Sequence, residues 1–126
     1  MHNKSIAIFS NNISEIAQDI ERIKLFFQQQ SFDDFVIFSD ELLDSLSNHS
    51  ILTTFYMIAY RGILIFTDIN DYLQYKDNIL CHSIIYMPKY EHSISAETIK
   101  HCDILTYDEN TTTLKWIKKH ELQQSI

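Results

Sequence analysis

The stretch Gly62-Ile63-Leu64-Ile65-Phe66-Thr67-Asp68 decides the fold. It contains the only glycine of the chain, then four consecutive apolar residues, a threonine and an aspartate. An unbroken apolar run of this length is the signature of a strand covered on both faces, as in a parallel sheet. GILIFTD therefore reads as a central strand with a carboxylate at its C-terminal end. The segment before it, Ile51 to Tyr60 (ILTTFYMIAY), sets the topology. As a strand it would form a hairpin with GILIFTD through Arg61-Gly62, but Arg-Gly is a poor two-residue turn beside Asn-Gly. A ten-residue apolar run also suits a buried helix, and helix is the reading adopted, because it makes the flanking strands an ordinary parallel crossover unit.

Working outward, residues 4 to 9 (KSIAIF) read as the first strand. Asn12-Ile13-Ser14-Glu15 has the form of a capping box, with Asn12 at the N-cap. Ile13, Ile16, Ala17, Ile20, Ile23 and Phe27 follow at helical spacing. After a polar break, Asp34 to Ser39 (DFVIFS) reads as the second strand. Ser39 or Asp40 caps a short helix carrying Leu42, Leu43 and Leu46, which Ser47-Asn48-His49-Ser50 interrupts. On the other side, Asp68 caps a helix with Ile69, Tyr72 and Leu73. His82 to Met87 is the fourth strand, stopped by Pro88, and Ser95 to His101 a small helix. Asp103 to Tyr107 is the fifth strand. Asp108 or Asn110 then caps a last helix, with Leu114, Ile117 and Leu122 inward and Lys115, Lys118, Lys119 and His120 in its later turns. The expected architecture is a three-layer α/β sandwich around a mostly parallel five-stranded sheet, a (βα)5 arrangement filling residues 1–126 as a single domain.

Composition limits the function classes. The chain has 126 residues, 45% of them apolar, enough for one folded core and too hydrophobic for disorder. No uncharged apolar stretch is long enough to span a membrane. The N-terminus, MHNKSIAIFSNN, lacks the form of an export signal, so a cytoplasmic location and reduced Cys81 and Cys102 are expected. Seventeen acids against ten bases give a net charge of −7, and the bases are scattered, which argues against direct nucleic-acid binding; an acidic surface suits a basic protein partner or simply keeps the domain soluble. Cys81-His82, His92 and His101-Cys102 lack metal-binding spacing, and no cofactor is expected.

In open parallel sheets ligands bind at the C-terminal strand ends, near the point where strand order reverses. Ser10, Asn11, Asn12, Asp40, Asp68 and Asp108 are the ligand-binding candidates by that rule. Residues of these types are also ordinary helix caps. Five β-α units in this length resemble a response-regulator receiver domain, and Asp68 stands where that family carries its phosphorylated aspartate. The other positions depart from the family. Ser10-Asn11-Asn12 replaces the acidic pair after strand one, Met87 the hydroxyl residue ending strand four, and Tyr107-Asp108 the lysine ending strand five. With strand order 2-1-3, Asp40 lies two strands from Asp68, about 10 Å and too far to share a Mg²⁺. The glycine needed by a phosphate-cradling loop is missing after strand one, although Ser10 and Asn12 could still present a sugar or nucleotide to the first helix.

These residues support a non-enzymatic regulatory or accessory module, degenerate and receiver-like, that binds another protein or a copy of itself. Tyr72, Tyr75, Tyr86 and Tyr90 are its candidate interface, because tyrosine is enriched in such surfaces. A second expectation is a nucleotide- or nucleotide-sugar-binding half-domain. Asp103 to Lys118 (DILTYDENTTTLKWIK) is similar to the last strand and helix of the first Rossmann-like domain of some glycosyltransferases. A third is an acidic mimic of nucleic acid, occupying a basic protein with Asp33, Asp34, Asp40, Glu41 and Asp44 on its contact face.

Overall fold

The computed structural model describes residues 5–10, 13–32, 34–59, 62–79, 82–88 and 102–117. The order of elements is β1 (Ser5–Ser10), α1 (Ala17–Gln28), β2 (Asp34–Ser39), α2 (Asp40–Ser45), α3 (Asn48–Ala59), β3 (Gly62–Phe66), α4 (Ile69–Tyr75), β4 (His82–Tyr86), β5 (Asp103–Asp108) and β6 (Thr113–Ile117). The six strands form one sheet in the order β2-β1-β3-β4-β5-β6, parallel except for β6. GILIF lies in the interior of the sheet between β1 and β4, with Leu64, Ile65 and Phe66 buried, and the 2-1-3 order holds.

Successive residues of each buried strand supply opposite faces. Ala7, Phe9, Leu64, Phe66, Ile85 and Ile104 form one core with Ile51 of α3 and Tyr72 of α4. Ile6, Ile8, Ile65, Ile84, Tyr86 and Leu105 form the other with Ile20, Ile23 and Phe27 of α1, and Leu114 joins it from β6. Helices thus cover both faces of the sheet. The helix at residues 51–59 is present, and it begins earlier than expected. Residues 48–50 belong to it because the Ser47 hydroxyl accepts the Ser50 N–H at 3.2 Å. Thr53 and Thr54 satisfy their hydroxyls on the His49 and Ser50 carbonyls within it.

Two expectations are corrected. Helix α1 begins only at Ala17, with Ile16 at the N-cap and no side-chain cap, so residues 13–16 are turn rather than helix; Asn12 lies outside the described residues. The last helix is instead a strand. Residues 109–112 form a turn, and Thr113, whose branched Cβ favours extended backbone, opens the strand. The Asp108 carboxylate accepts the Asn110 N–H at 2.9 Å, Thr112 takes a positive φ of 56°, and the chain returns as β6 against β5, with Asp108 opposite Thr113 and Ile104 opposite Ile117. Trp116 then packs edge-on against Phe26 and Phe27 of α1, at 5.7 and 6.2 Å between centroids. The sheet accordingly has six strands, not five. The expected helix at residues 95–101 lies outside the described residues.

Candidate functional site

The first three strands end in the same way: Ile8-Phe9-Ser10, Ile37-Phe38-Ser39 and Ile65-Phe66-Thr67. The register aligns them, pairing Phe9 with both Phe38 and Phe66 and Ser10 with Ser39. The three rings stack nearly parallel across the strands, at 4.9 Å between Phe38 and Phe9 and 5.2 Å between Phe9 and Phe66. Tyr72 closes the row edge-on to Phe66 at 5.9 Å. The Thr67 N–H and hydroxyl both donate to the Phe9 carbonyl, at 3.1 and 3.0 Å. Strand order reverses between β1 and β3, where doubly wound sheets take their ligands. On the Phe9 face this ladder fills the region beside the reversal, and Thr67 ties the loop after β3 to β1. The repeated Ile-Phe-hydroxyl tripeptide was the available sequence signal, and it acquires meaning only once the register is known.

Of the ligand-binding candidates, Ser10, Asp40 and Asp68 lie at the ends of the adjacent strands β1, β2 and β3, and Asp108 stands apart from them. Ser10 is buried at the end of β1. Asp68 is the N-cap of α4 and accepts the Asn70 N–H at 2.8 Å, the capping role open to it from the sequence. Asp108 organises the β5–β6 turn and lies 3.9 Å from Lys115 Nζ. Strand β4 stands between the ends of β3 and β5, so Asp68 and Asp108 do not share a site. Asp40 opens α2, while the Ser39 hydroxyl accepts the Leu42 N–H there at 3.2 Å. Asn11 and Asn12 lie outside the described residues. An open groove of about 510 Å³ runs beside Asp108, over Pro88, Thr106, Glu109 and Lys115; the Thr106 hydroxyl donates to the Pro88 carbonyl at 3.4 Å. Among the described residues no group of three or more His, Cys, Asp or Glu side chains could hold a metal ion, and no helix is long and apolar enough to cross a membrane.

The tyrosines do not form one surface. Tyr72 is buried in the ladder's core, and burial, followed by the Cys102 thiol beside it, pushes its phenol up to about 12. Tyr75 packs on the same side, half-buried. Its phenol is raised by burial and then by the Asp71 and Asp44 carboxylates. Tyr86 is buried on the opposite face and donates to the Asp19 carboxylate at 2.5 Å; burial and that bond both raise it. Asp19 also meets Arg22 at 3.4 Å, and the Arg22 guanidinium lies 4.5 Å over the Tyr107 ring. Two buried tyrosines cannot present a docking face, and the Tyr86–Asp19–Arg22–Tyr107 chain instead fastens α1 to β4 and β5. Tyr90 lies outside the described residues.

The charge is concentrated at one margin of the sheet. Residues 25–60 contain five acids and no lysine or arginine, while the rest of the chain, with twelve acids and ten bases, is nearly balanced. Strand β2, the outermost strand on this side, and α2 carry four of these acids, Asp34, Asp40, Glu41 and Asp44. Asp34, Glu41 and Asp44 are exposed, and on the same two elements Val36 is 47% and Leu42 41% exposed. No protein-family model matches the chain, and no curated protein or solved structure is significantly similar to it.

Proposed function

We propose that this chain is a non-enzymatic binding module that recognises a basic protein through the β2–α2 margin of its sheet. The observation that carries the proposal is that β2 and the adjoining α2 expose two large apolar side chains, Val36 and Leu42, as well as Asp34, Glu41 and Asp44. Exposed apolar side chains on a charged margin mark a protein contact, and one sign of charge selects a partner of the other. The parallel order β2-β1-β3-β4-β5 is compatible with the receiver-like reading, and β6 stands where a last helix was expected. Asp68, at the position a receiver would phosphorylate, serves as a helix cap. The glycosyltransferase-like reading rested on a strand followed by a helix at residues 103–118, and residues 103–117 form a hairpin.

The test compares tagged wild-type chain with the variant Asp34→Lys/Glu41→Lys/Asp44→Lys and with a control reversal at exposed Asp77 and Glu109. Proteins retained at low and high salt are identified by mass spectrometry. Wild type and control are expected to retain the same basic proteins at low salt, and the margin variant to lose them. Retention of the same set by the margin variant refutes the proposal, as does a wild-type chain that retains nothing and stays monomeric.

A further inference from the structure

We propose that the outer edge of β2 takes up an extended basic segment of the partner protein as a seventh strand; this rests on the protein-binding reading above. Strand β2 pairs with β1 through all six of its residues, Ser5 opposite Asp34 through to Ser10 opposite Ser39, with no interruption. Among the described residues no strand pairs with its other side. A six-residue edge strand leaves the N–H and C=O of about three residues directed outward. Natural sheets protect such an edge with lysine, proline, a bulge or a covering element. Strand β6, at the opposite edge, carries Lys115, and its Trp116 packs onto α1. Strand β2 is DFVIFS, with no lysine, arginine or proline and an unbroken register.

The choice of occupant follows from charge. A second copy paired antiparallel about Val36 would set Asp34 opposite Phe38. The start of each strand would then lie beside the end of the other, where Glu41 and Asp44 are exposed. Acids would face acids at both ends, between chains that each carry −7. A segment with alternate apolar residues and flanking lysines or arginines reverses both terms: its backbone completes the ladder, an apolar side chain lies beside Val36, and its ends neutralise the carboxylates. Strand addition of this kind draws affinity from main-chain hydrogen bonds and specificity from alternate side chains.

The probe is the acetylated, amidated peptide Lys-Lys-Val-Thr-Val-Thr-Val-Lys-Lys, compared with a version methylated on alternate backbone nitrogens. Methylation keeps every charge and side chain and removes the donors of one peptide edge. Binding is read by fluorescence anisotropy and by amide hydrogen exchange over residues 34–39. The parent peptide is expected to bind and to slow exchange of the β2 amides. The methylated peptide should bind about tenfold more weakly or worse, as the loss of two or three hydrogen bonds implies. Glu41→Lys/Asp44→Lys should weaken the parent peptide at low salt, with the difference shrinking as salt rises. Equal binding of the two peptides, with loss only on charge reversal, overturns strand addition and leaves the acidic contact face standing. Concentration-dependent dimerisation that protects β2 without peptide overturns it in favour of a second copy. No binding by the parent peptide at millimolar concentration also overturns it, while the wider reading is decided separately by the copurification result.

Discussion

Replacing Phe9 tests the centre of the fold. Its ring is 1% exposed and stacked between Phe38 and Phe66. Phe9→Ala removes a ring with a neighbour on either side, and the sheet register holds those neighbours too far apart to close the gap. Phenylalanine-to-alanine changes in cores cost about 3–5 kcal/mol, and the poor prospects for collapse place this one near about 4. That is a large share of the roughly 5–15 kcal/mol that holds a domain folded. Phe9→Leu separates the two contributions. It keeps most of the apolar volume and loses the stacking, so it should cost only about 1–2 kcal/mol.

The assay is urea unfolding followed by circular dichroism, with Phe9→Leu and Phe38→Leu made singly and together. Stacked rings in contact should give a coupling of about 0.5–1.5 kcal/mol. Phe26, which packs on Trp116 in the other core, supplies the control, and Phe26→Leu should add to Phe9→Leu within about 0.5 kcal/mol. A Phe9→Ala cost below about 1 kcal/mol, outside the range for buried rings, would refute the ladder. So would a Phe9–Phe38 coupling no larger than the Phe9–Phe26 control.

Thr112→Gly distinguishes the hairpin from the helix expected there. A β-branched residue at positive φ is strained, so the substitution should be neutral or raise stability by up to about 1 kcal/mol, whereas within a helix it would cost about that much. Asp68→Ala should lose about 1 kcal/mol and speed amide exchange at the start of α4, and Asp68→Asn should restore most of it. Alkali should destabilise the protein through Tyr72. Its folded phenol is raised from 10.0 to about 12, so the neutral form is favoured in the folded state; the stabilisation is complete below about pH 10 and is lost as pH rises through about 12. Tyr72→Phe should flatten the fall of the urea midpoint between those values, and an unchanged slope would contradict the burial argument.

The fold was legible where one physical signal dominated. Ile63 to Phe66 read as an interior strand because a continuous apolar run suits a strand covered on both faces, and residues 51–59 read as helix because Arg61-Gly62 is a poor hairpin turn. The last element was misread because Leu114 and Ile117 are spaced three apart, as on a helix. The same residues also fit a strand, with Leu114 and Trp116 on one face and Lys115 and Ile117 on the other. The turn at residues 109–112, with Thr112 at positive φ, directs the chain back along β5, and Phe26 and Phe27, distant in sequence, give Trp116 something to pack against. The start of α1 was missed for a related reason. Ser14 and Glu15 suit a capping box, yet the apolar Ile16 holds the N-cap and its carbonyl takes the Ile20 N–H at 2.9 Å.

The candidate site required strand order as well as composition. Five acids between residues 25 and 60 are visible in the sequence, but their effect depends on where DFVIFS sits. Buried between two strands, β2 would have no outward backbone groups, and its acids would be only a solvated fringe. At the margin, Asp34 at its start and the acids of α2 after its end flank an edge that carries neither lysine nor proline. Negative charge deters another copy of this acidic chain as well as lysine would deter a neutral one, but it attracts a basic strand. The same residues can therefore guard the edge against self-pairing and select what is allowed to pair with it.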